Sequence, residues 1–237
     1  MQTVEPAAVD ANDRGLFRAG GLAALVLVAG YLATFPLYAA AGGPPSGDAE
    51  ARLLHYGEHL SAWWGILGLM VFTDLLYLMV ALALYRALQG INRGLMLLAV
   101  ACKALFVVLD LAVTWTNHAV LFDLGSQYAA ATSDEQRAGI VATARVASAV
   151  MGTPLPSIYA IAIPSTGTLL AGLVMWKGVF GRGAAYVAVL AGVTAYVAVA
   201  GPYLTPALDL AHVVNALLET LWYLLVGVGL YRLGRPS

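Results

Sequence analysis

Asp74, Lys103, Asp110 and Glu219 are the residues of this chain best placed to do chemistry, because each interrupts a long apolar run. A charge near the centre of a bilayer costs at least about 2.5–3.5 kcal/mol on insertion scales, so such groups pair or line a polar cavity. One lysine cannot neutralise three acids. At least one of the three carboxyls should then hold a proton at neutral pH, and such a carboxyl is a general acid or a relay step. The plainer reading is that Lys103 neutralises Asp74 or Asp110 and fixes helix register.

Spacing groups further residues with these four. Lys103 and Asp110 are two helical turns apart and share a face, which Thr114, Asn117 and His118 continue. Asp209, His212, Asn215 and Glu219 form a second polar stripe, with Trp222 and Tyr223 below it. Two stripes plus Asp74 suggest one internal polar column. In that column Asp74 and Glu219 are the candidate acid/base groups, and Lys103 and Asp110 set their charge. Trp115, Asn117, Asn215, Trp222 and Tyr223 are the candidate lining of a pocket for a small apolar or amphiphilic ligand.

The histidines form the other constellation. His55 and His59 are four apart and share a helical face, as metal-ligand pairs do. The string from His55 to His59 matches the H-x-x-E-H zinc-protease pattern, although Gly57 interrupts it and the surrounding soluble fold is missing. The bland alternative is a cluster of solvated histidines. The sharper one recruits His118, His212 or Asp209 as further ligands, a nitrogen and oxygen set that suits zinc. A haem between two histidines is conceivable, but no spacing favours it.

The elements that must position these groups are apolar. The chain has 237 residues, 61% hydrophobic and 11% charged, with a mean hydropathy of +0.81. A soluble domain carries about 25% charged residues. The net charge of −1 offers no basic footprint for nucleic acid. The single cysteine, Cys102, rules out an intrachain disulfide.

Six hydrophobic spans can be read, at 16–41, 61–86, 94–122, 157–177, 183–201 and 207–231. Each approaches or exceeds the roughly 20 residues a spanning helix needs. Only helices satisfy their own backbone within lipid, apart from closed barrels. The expected fold is therefore an all-α, six-helix transmembrane bundle over 16–237, preceded by a tail at 1–15. No second domain and no convincing repeat is visible.

Basic residues set the orientation. Arg14, Arg18, Arg86, Arg93, Lys177, Arg182, Arg232 and Arg235 fall on one side of these spans, and Arg52, Arg137 and Arg145 on the other. The positive-inside rule puts both termini of this multi-pass chain in the cytoplasm. Trp63 and Trp64 then sit at the outer interface and Trp176 at the inner one. A cleaved signal peptide is the rival reading of the first span. Its apolar stretch is too long for that, and Glu5, Asp10 and Asp13 precede it.

On this topology Lys103 lies roughly 14 Å and Asp110 roughly 24 Å in from residue 94 at the usual helical rise. Asp74 lies roughly 18 Å above Arg86 on the same rise.

The connections carry their own signals. Gly42-Gly43-Pro44-Pro45-Ser46-Gly47 must turn, and the second helix can begin as early as Asp48, outside the lipid. The outer segment 124–153 holds a capping-box signal, Ser133 with Gln136, so a surface helix is predicted from Asp134 toward Met151. Pro164 should kink the fourth span and free the Ala160 carbonyl. Thr205-Pro206 reads as N-cap and first-turn proline of the last helix.

Several stretches carry a resemblance. They are Arg18-Ala19-Gly20-Gly21-Leu22, Thr73-Asp74-Leu75-Leu76, Ala83-Leu84-Tyr85-Arg86-Ala87-Leu88, Gly90-Ile91-Asn92-Arg93-Gly94-Leu95, Leu170-Ala171-Gly172 and the run from Leu218 to Gly227. Over about 15–231 the chain resembles the DUF4386 family of bacterial six-helix membrane proteins. The resemblance implies that topology and places recurrent acids at Asp74 and Glu219, with Lys103 where the family more often has arginine. The outer histidine pair and Pro154-Leu155-Pro156 look particular to this chain. The resemblance implies no activity.

Three function classes follow. One is an intramembrane enzyme or binding protein for a lipid-like ligand, using the acids to move a proton. The second is a proton-coupled transporter or channel with Pro164 as a kinked gate, which would call for a homo-oligomer. The third is a structural or accessory membrane subunit.

Overall fold

The computed structural model describes residues 11–43, 45 and 47–235, and among these there is helix and turn but no strand. The N-terminal ten residues of the expected tail, with Pro44 and Ser46 of the first turn, lie outside the described residues. The helices are α1 (Ala11–Ala40), α2 (Ala49–Glu58), α3 (Leu60–Leu109), α4 (Thr116–Ala130), α5 (Asp134–Met151), α6 (Leu155–Ser157), α7 (Ile163–Met175), α8 (Gly181–Ala200) and α9 (Leu210–Leu233). Among the described residues, five helical segments are long and apolar enough to cross a membrane: Asp13–Ala40, Leu60–Ala130, Leu155–Met175, Gly181–Tyr203 and Pro206–Leu233.

The longest of these joins two spans expected to be separate, and its geometry explains why. Within α3, Asn92 leaves the helical region at φ −153° and ψ 93°. Its Oδ1 accepts the Leu95 N–H at 3.1 Å, the bond an N-cap makes, so a second arm starts there. The arms fold back on each other. Lys103 Nζ lies 5.2 Å from the centroid of the Tyr77 ring, whereas a straight helix would separate the two residues by about 39 Å. Leu60–Ala130 is thus a helical hairpin turned at Asn92.

Two π-helical turns interrupt the pattern. The first, Asp110–Trp115, joins α3 to α4. The second, Ile158–Ala162, precedes Pro164. Proline has no N–H for the Ala160 carbonyl, and the widened turn takes up the break predicted there. The α4 helix runs to Ala130, past the expected span end at 122, so the outer segment begins later than 124.

Caps follow the sequence closely. Asp48 accepts the Ala51 N–H at 2.9 Å and starts α2. Ser133 accepts the Gln136 N–H at 3.2 Å and starts α5, while Gln136 Oε1 receives the Thr132 N–H at 3.2 Å rather than that of Ser133. Gly42 and Gly43 turn the first loop with φ of 74° and 84°, a region open chiefly to glycine. Thr205 is extended but makes no side-chain cap, and Pro206 opens a 3₁₀ turn with α9 beginning only at Leu210.

The chain forms two compact units. One holds residues up to Val28, Leu76–Ala104 and everything from Ile161. There α8 presents Ala184, Ala185, Ala188, Ala191, Ala195 and Ala198 as a buried stripe, the small-residue face that lets apolar helices approach closely. In the same unit Arg86 Nε meets Asp13 Oδ1 at 2.7 Å, and a Cβ built on Gly234 would lie 2.8 Å from the Arg14 carbonyl. The start of α1 and the end of α9 therefore lie together.

The other unit holds Ala29–Leu75 and Leu105–Ala160. Its core gathers Leu53, Tyr56, Trp63, Ile66, Leu121, Phe122 and Tyr128, with Ala144 and Ala147 from α5. The Tyr56 ring lies 5.2 Å from Trp63 and 5.0 Å from Phe122. Gly57 belongs to this packing. A Cβ there would sit 3.0 Å from the Gly125 carbonyl, and one on Gly125 would sit 2.9 Å from the Leu53 carbonyl. Glycine at both positions lets the α2 and α4 backbones touch.

Candidate functional site

The four ionisable residues of the apolar segments fall into two clusters, one in each unit. Asp74, Lys103 and Asp110 are each 5% exposed, and Glu219 is half-buried.

In the second unit Asp74 meets the first π turn. Trp115 Nε1 donates to Asp74 Oδ2 at 2.7 Å. Asp110 opens that same π turn, and its carboxyl lies close enough to Asp74 for the two charges to act on each other. Two ionised carboxylates held close together repel, which favours a proton on one of them. Asp110 Oδ1 is buried with no hydrogen-bond partner among the described residues. Thr114 and Tyr159, one from each π turn, share a hydrogen bond of 2.9 Å. π-turns recur at functional sites, and here they bring a carboxyl pair, an indole, a hydroxyl and a phenol together. Sequence periodicity gave no sign of the first π turn.

The Trp115 ring has a second role. It walls an open groove of about 480 Å³ with Val71, Leu111, Val120 and Leu124, and with Thr116 and Asp123 as its polar edge. The indole thus touches both the groove and the acid pair.

In the first unit Lys103 Nζ donates to Thr168 Oγ1 at 2.8 Å, and Thr168 donates to Glu219 Oε2 at 3.0 Å. A hydroxyl has one hydrogen and two lone pairs, so it can bridge an ammonium to a carboxylate in this way. Within this unit the ammonium thus reaches a carboxyl through a hydroxyl. The close approach depends on Gly167, whose Cβ would lie 2.8 Å from the Ala99 carbonyl. Tyr77, Trp222 and Tyr223 surround the ammonium at 5.2, 5.7 and 5.3 Å from their centroids, within cation–π range. Sequence reading passed over Thr168 and Tyr77. The Thr168 hydroxyl lies in a small-residue run with no charge to mark it.

The other expected lining residues point elsewhere. Asn117 Nδ2 donates to the Val113 carbonyl of its own helix at 2.7 Å. Asn215 Nδ2 donates to the Ala191 carbonyl at 2.8 Å and so joins α9 to α8.

Three of the four histidine rings contact backbone carbonyls. The His55 and His59 rings lie 5.3 Å apart, although the helix breaks at His59. His55 Nε2 contacts the Gly43 carbonyl at 3.1 Å, His118 Nδ1 the Thr114 carbonyl at 2.9 Å and His212 Nδ1 the Asp209 carbonyl at 3.3 Å. Among the described residues no group of three or more His, Cys, Asp or Glu side chains is placed to hold a metal. A zinc ion would need such a set.

The helical fold and apolar surface are compatible with an integral membrane protein. No family model, no curated protein and no solved structure matches the chain.

Proposed function

We propose that the chain is a multi-pass protein of a bacterial inner membrane, crossing it six times with both ends cytoplasmic. On this reading each arm of the hairpin at Asn92 is a crossing. The excess of Arg and Lys at the hairpin tip and at both ends supports the orientation, as does the ion pair between Asp13 and Arg86. The DUF4386 resemblance agrees with this topology.

Its working centre is the carboxyl pair Asp74/Asp110, which holds one proton and exchanges it with a small apolar or amphiphilic molecule seated in the groove beside Trp115. The observation that carries this reading is the double role of Trp115, hydrogen-bonded to Asp74 and walling the groove. A ligand arriving from the lipid would press on the indole and shift the proton affinity of the pair. Glu219 and Lys103 belong to the cluster of the other unit. A proton-coupled transporter would use the same pair, and the Thr114–Tyr159 bond extends the hydrogen-bonded path it would need.

The test is pH-titrated infrared difference spectroscopy in nanodiscs, on the wild type, Asp74→Asn and Asp110→Asn. A protonated-carboxyl band that each variant removes or moves supports the shared proton. Its persistence in both folded variants sinks the reading. Native mass spectrometry of the same samples reports any retained lipid-sized molecule and the oligomeric state. Proton flux into liposomes separates transport from a bound-ligand reaction.

A further inference from the structure

Four arginines from opposite ends of the chain meet at one place in the first unit. Arg14 and Arg18 are four apart in α1 and share a face. Arg232 is in the last turn of α9, and Arg235 follows that helix. A Cβ built on Gly234, between the last two, would lie 2.6 Å from Arg18 Cγ and 2.8 Å from the Arg14 carbonyl. One on Gly21 would lie 2.6 Å from the Tyr231 nitrogen, so the two backbones touch over this stretch. The Arg235 guanidinium stands 5.4 Å from the centroid of the Tyr231 ring, within cation–π range.

The described residues of this unit do not balance the charge gathered there. They include three acids, Asp13, Asp209 and Glu219. Asp13 takes Arg86 at 2.7 Å. Glu219 is joined to Lys103 through Thr168. Asp209 precedes α9, whose length puts it roughly 35 Å from Arg232. None of the four arginines is in an ion pair among the described residues. Arg18, Arg232 and Arg235 are exposed. Like charges on two touching helices repel, and an external anion relieves that cost.

Position gives the source of the anion. Arg18 and Arg232 lie near the ends of membrane-length segments, and Tyr231 is a residue type that sits at headgroup level. The cytoplasmic leaflet supplies anionic phosphodiesters at that level. A guanidinium matches two phosphate oxygens at once.

We propose that Arg14, Arg18, Arg232 and Arg235 form a docking surface for the phosphodiester headgroup of an anionic lipid in the cytoplasmic leaflet. The bound headgroup ties the start of α1 to the end of α9. This inference rests on the membrane-spanning reading and not on the proton chemistry of Asp74 and Asp110.

The test is native mass spectrometry of the full chain, released from nanodiscs that mix phosphatidylglycerol and phosphatidylcholine with the same acyl chains. The expected result is retained phosphatidylglycerol in excess over phosphatidylcholine. Arg18→Gln, Arg232→Gln and Arg235→Gln should each lower that excess, by up to about fivefold. Arg145→Gln, in the other unit, should leave it unchanged. No excess in the wild type, or an excess that none of the three variants lowers, overturns the proposal. So does an equal fall with Arg145→Gln. Loss of the retained lipid to inorganic phosphate at constant ionic strength overturns it in favour of a soluble anion. Glu5 and Asp10 lie outside the described residues. An excess that appears only after Glu5→Gln with Asp10→Asn overturns it in favour of the chain's own acids as counter-ions. A chain that does not enter nanodiscs at all sinks the membrane-spanning reading instead.

Discussion

Trp115 donates its indole hydrogen to Asp74 across 2.7 Å, and the two residues come from different arms of one helical hairpin. The bond depends on the π turn Asp110–Trp115, which sets the ring against the acid. Replacing Trp115 with Phe keeps an aromatic wall and removes the donor. It should destabilise the fold by about 1–2 kcal/mol, since hydrogen bonds within membrane proteins are of modest worth. It should also move the carboxyl band of the Asp74/Asp110 pair. Thermal unfolding and infrared spectra of Trp115→Phe check both, and an unmoved band would show that the indole does not govern the acids.

Among the described residues, Thr168 is the one hydrogen-bonded bridge between Lys103 and Glu219. Thr168→Val keeps the shape and deletes the hydroxyl, so it strands a buried ammonium. A loss of about 1–3 kcal/mol is expected, and Thr168→Ser should restore most of it. Reversible unfolding in mixed detergent measures both. Equal stability of the Val variant and the wild type would mean that Lys103 finds another acceptor.

Gly125 should resist any side chain. A methyl there would stand 2.9 Å from the Leu53 carbonyl and 3.0 Å from the Tyr56 Cβ, both on α2. Overpacking of this kind costs about 1–3 kcal/mol. Gly125→Ala should lower the melting temperature, whereas Gly139→Ala, with open space around it, should raise it slightly or leave it unchanged. A melting temperature unaffected by Gly125→Ala would mean that α2 can move off α4.

Tyr56 lies on α2, outside the apolar spans, and burial pushes its phenol up to about 12 from the ordinary 10.0. The folded state therefore holds this proton more tightly than the unfolded chain. Its contribution to stability is complete below pH 10 and is lost as the pH rises toward 12. Ultraviolet titration of the wild type against Tyr56→Phe should show one phenol ionising late, and the Phe variant should lose less stability over that alkaline range. Ionisation of Tyr56 near its ordinary value would contradict its burial against Trp63 and Phe122.

Much of the helical layout was legible in the chain. Apolar runs of spanning length, the Asp48 and Ser133 caps and the proline at 164 act over a few residues. The sequence alone therefore set the helical segments and several of their ends. It also marked Asp74, Lys103 and Asp110, because a charge within an apolar run is costly wherever the run packs. The choice of partners was not legible. Reading Asp110, Thr114, Asn117 and His118 as one face assumes a constant 3.6 residues per turn, and the π turn at Asp110–Trp115 rotates every later side chain round the axis. Asn117 and His118 accordingly bond back to their own helix. Only the tertiary structure joined Lys103 to Thr168, because that contact needs two backbones to close at Gly167 and Ala99, residues far apart in the chain. It likewise gave Asp74 the indole of Trp115, through a hairpin whose turn at Asn92 local apolarity does not reveal.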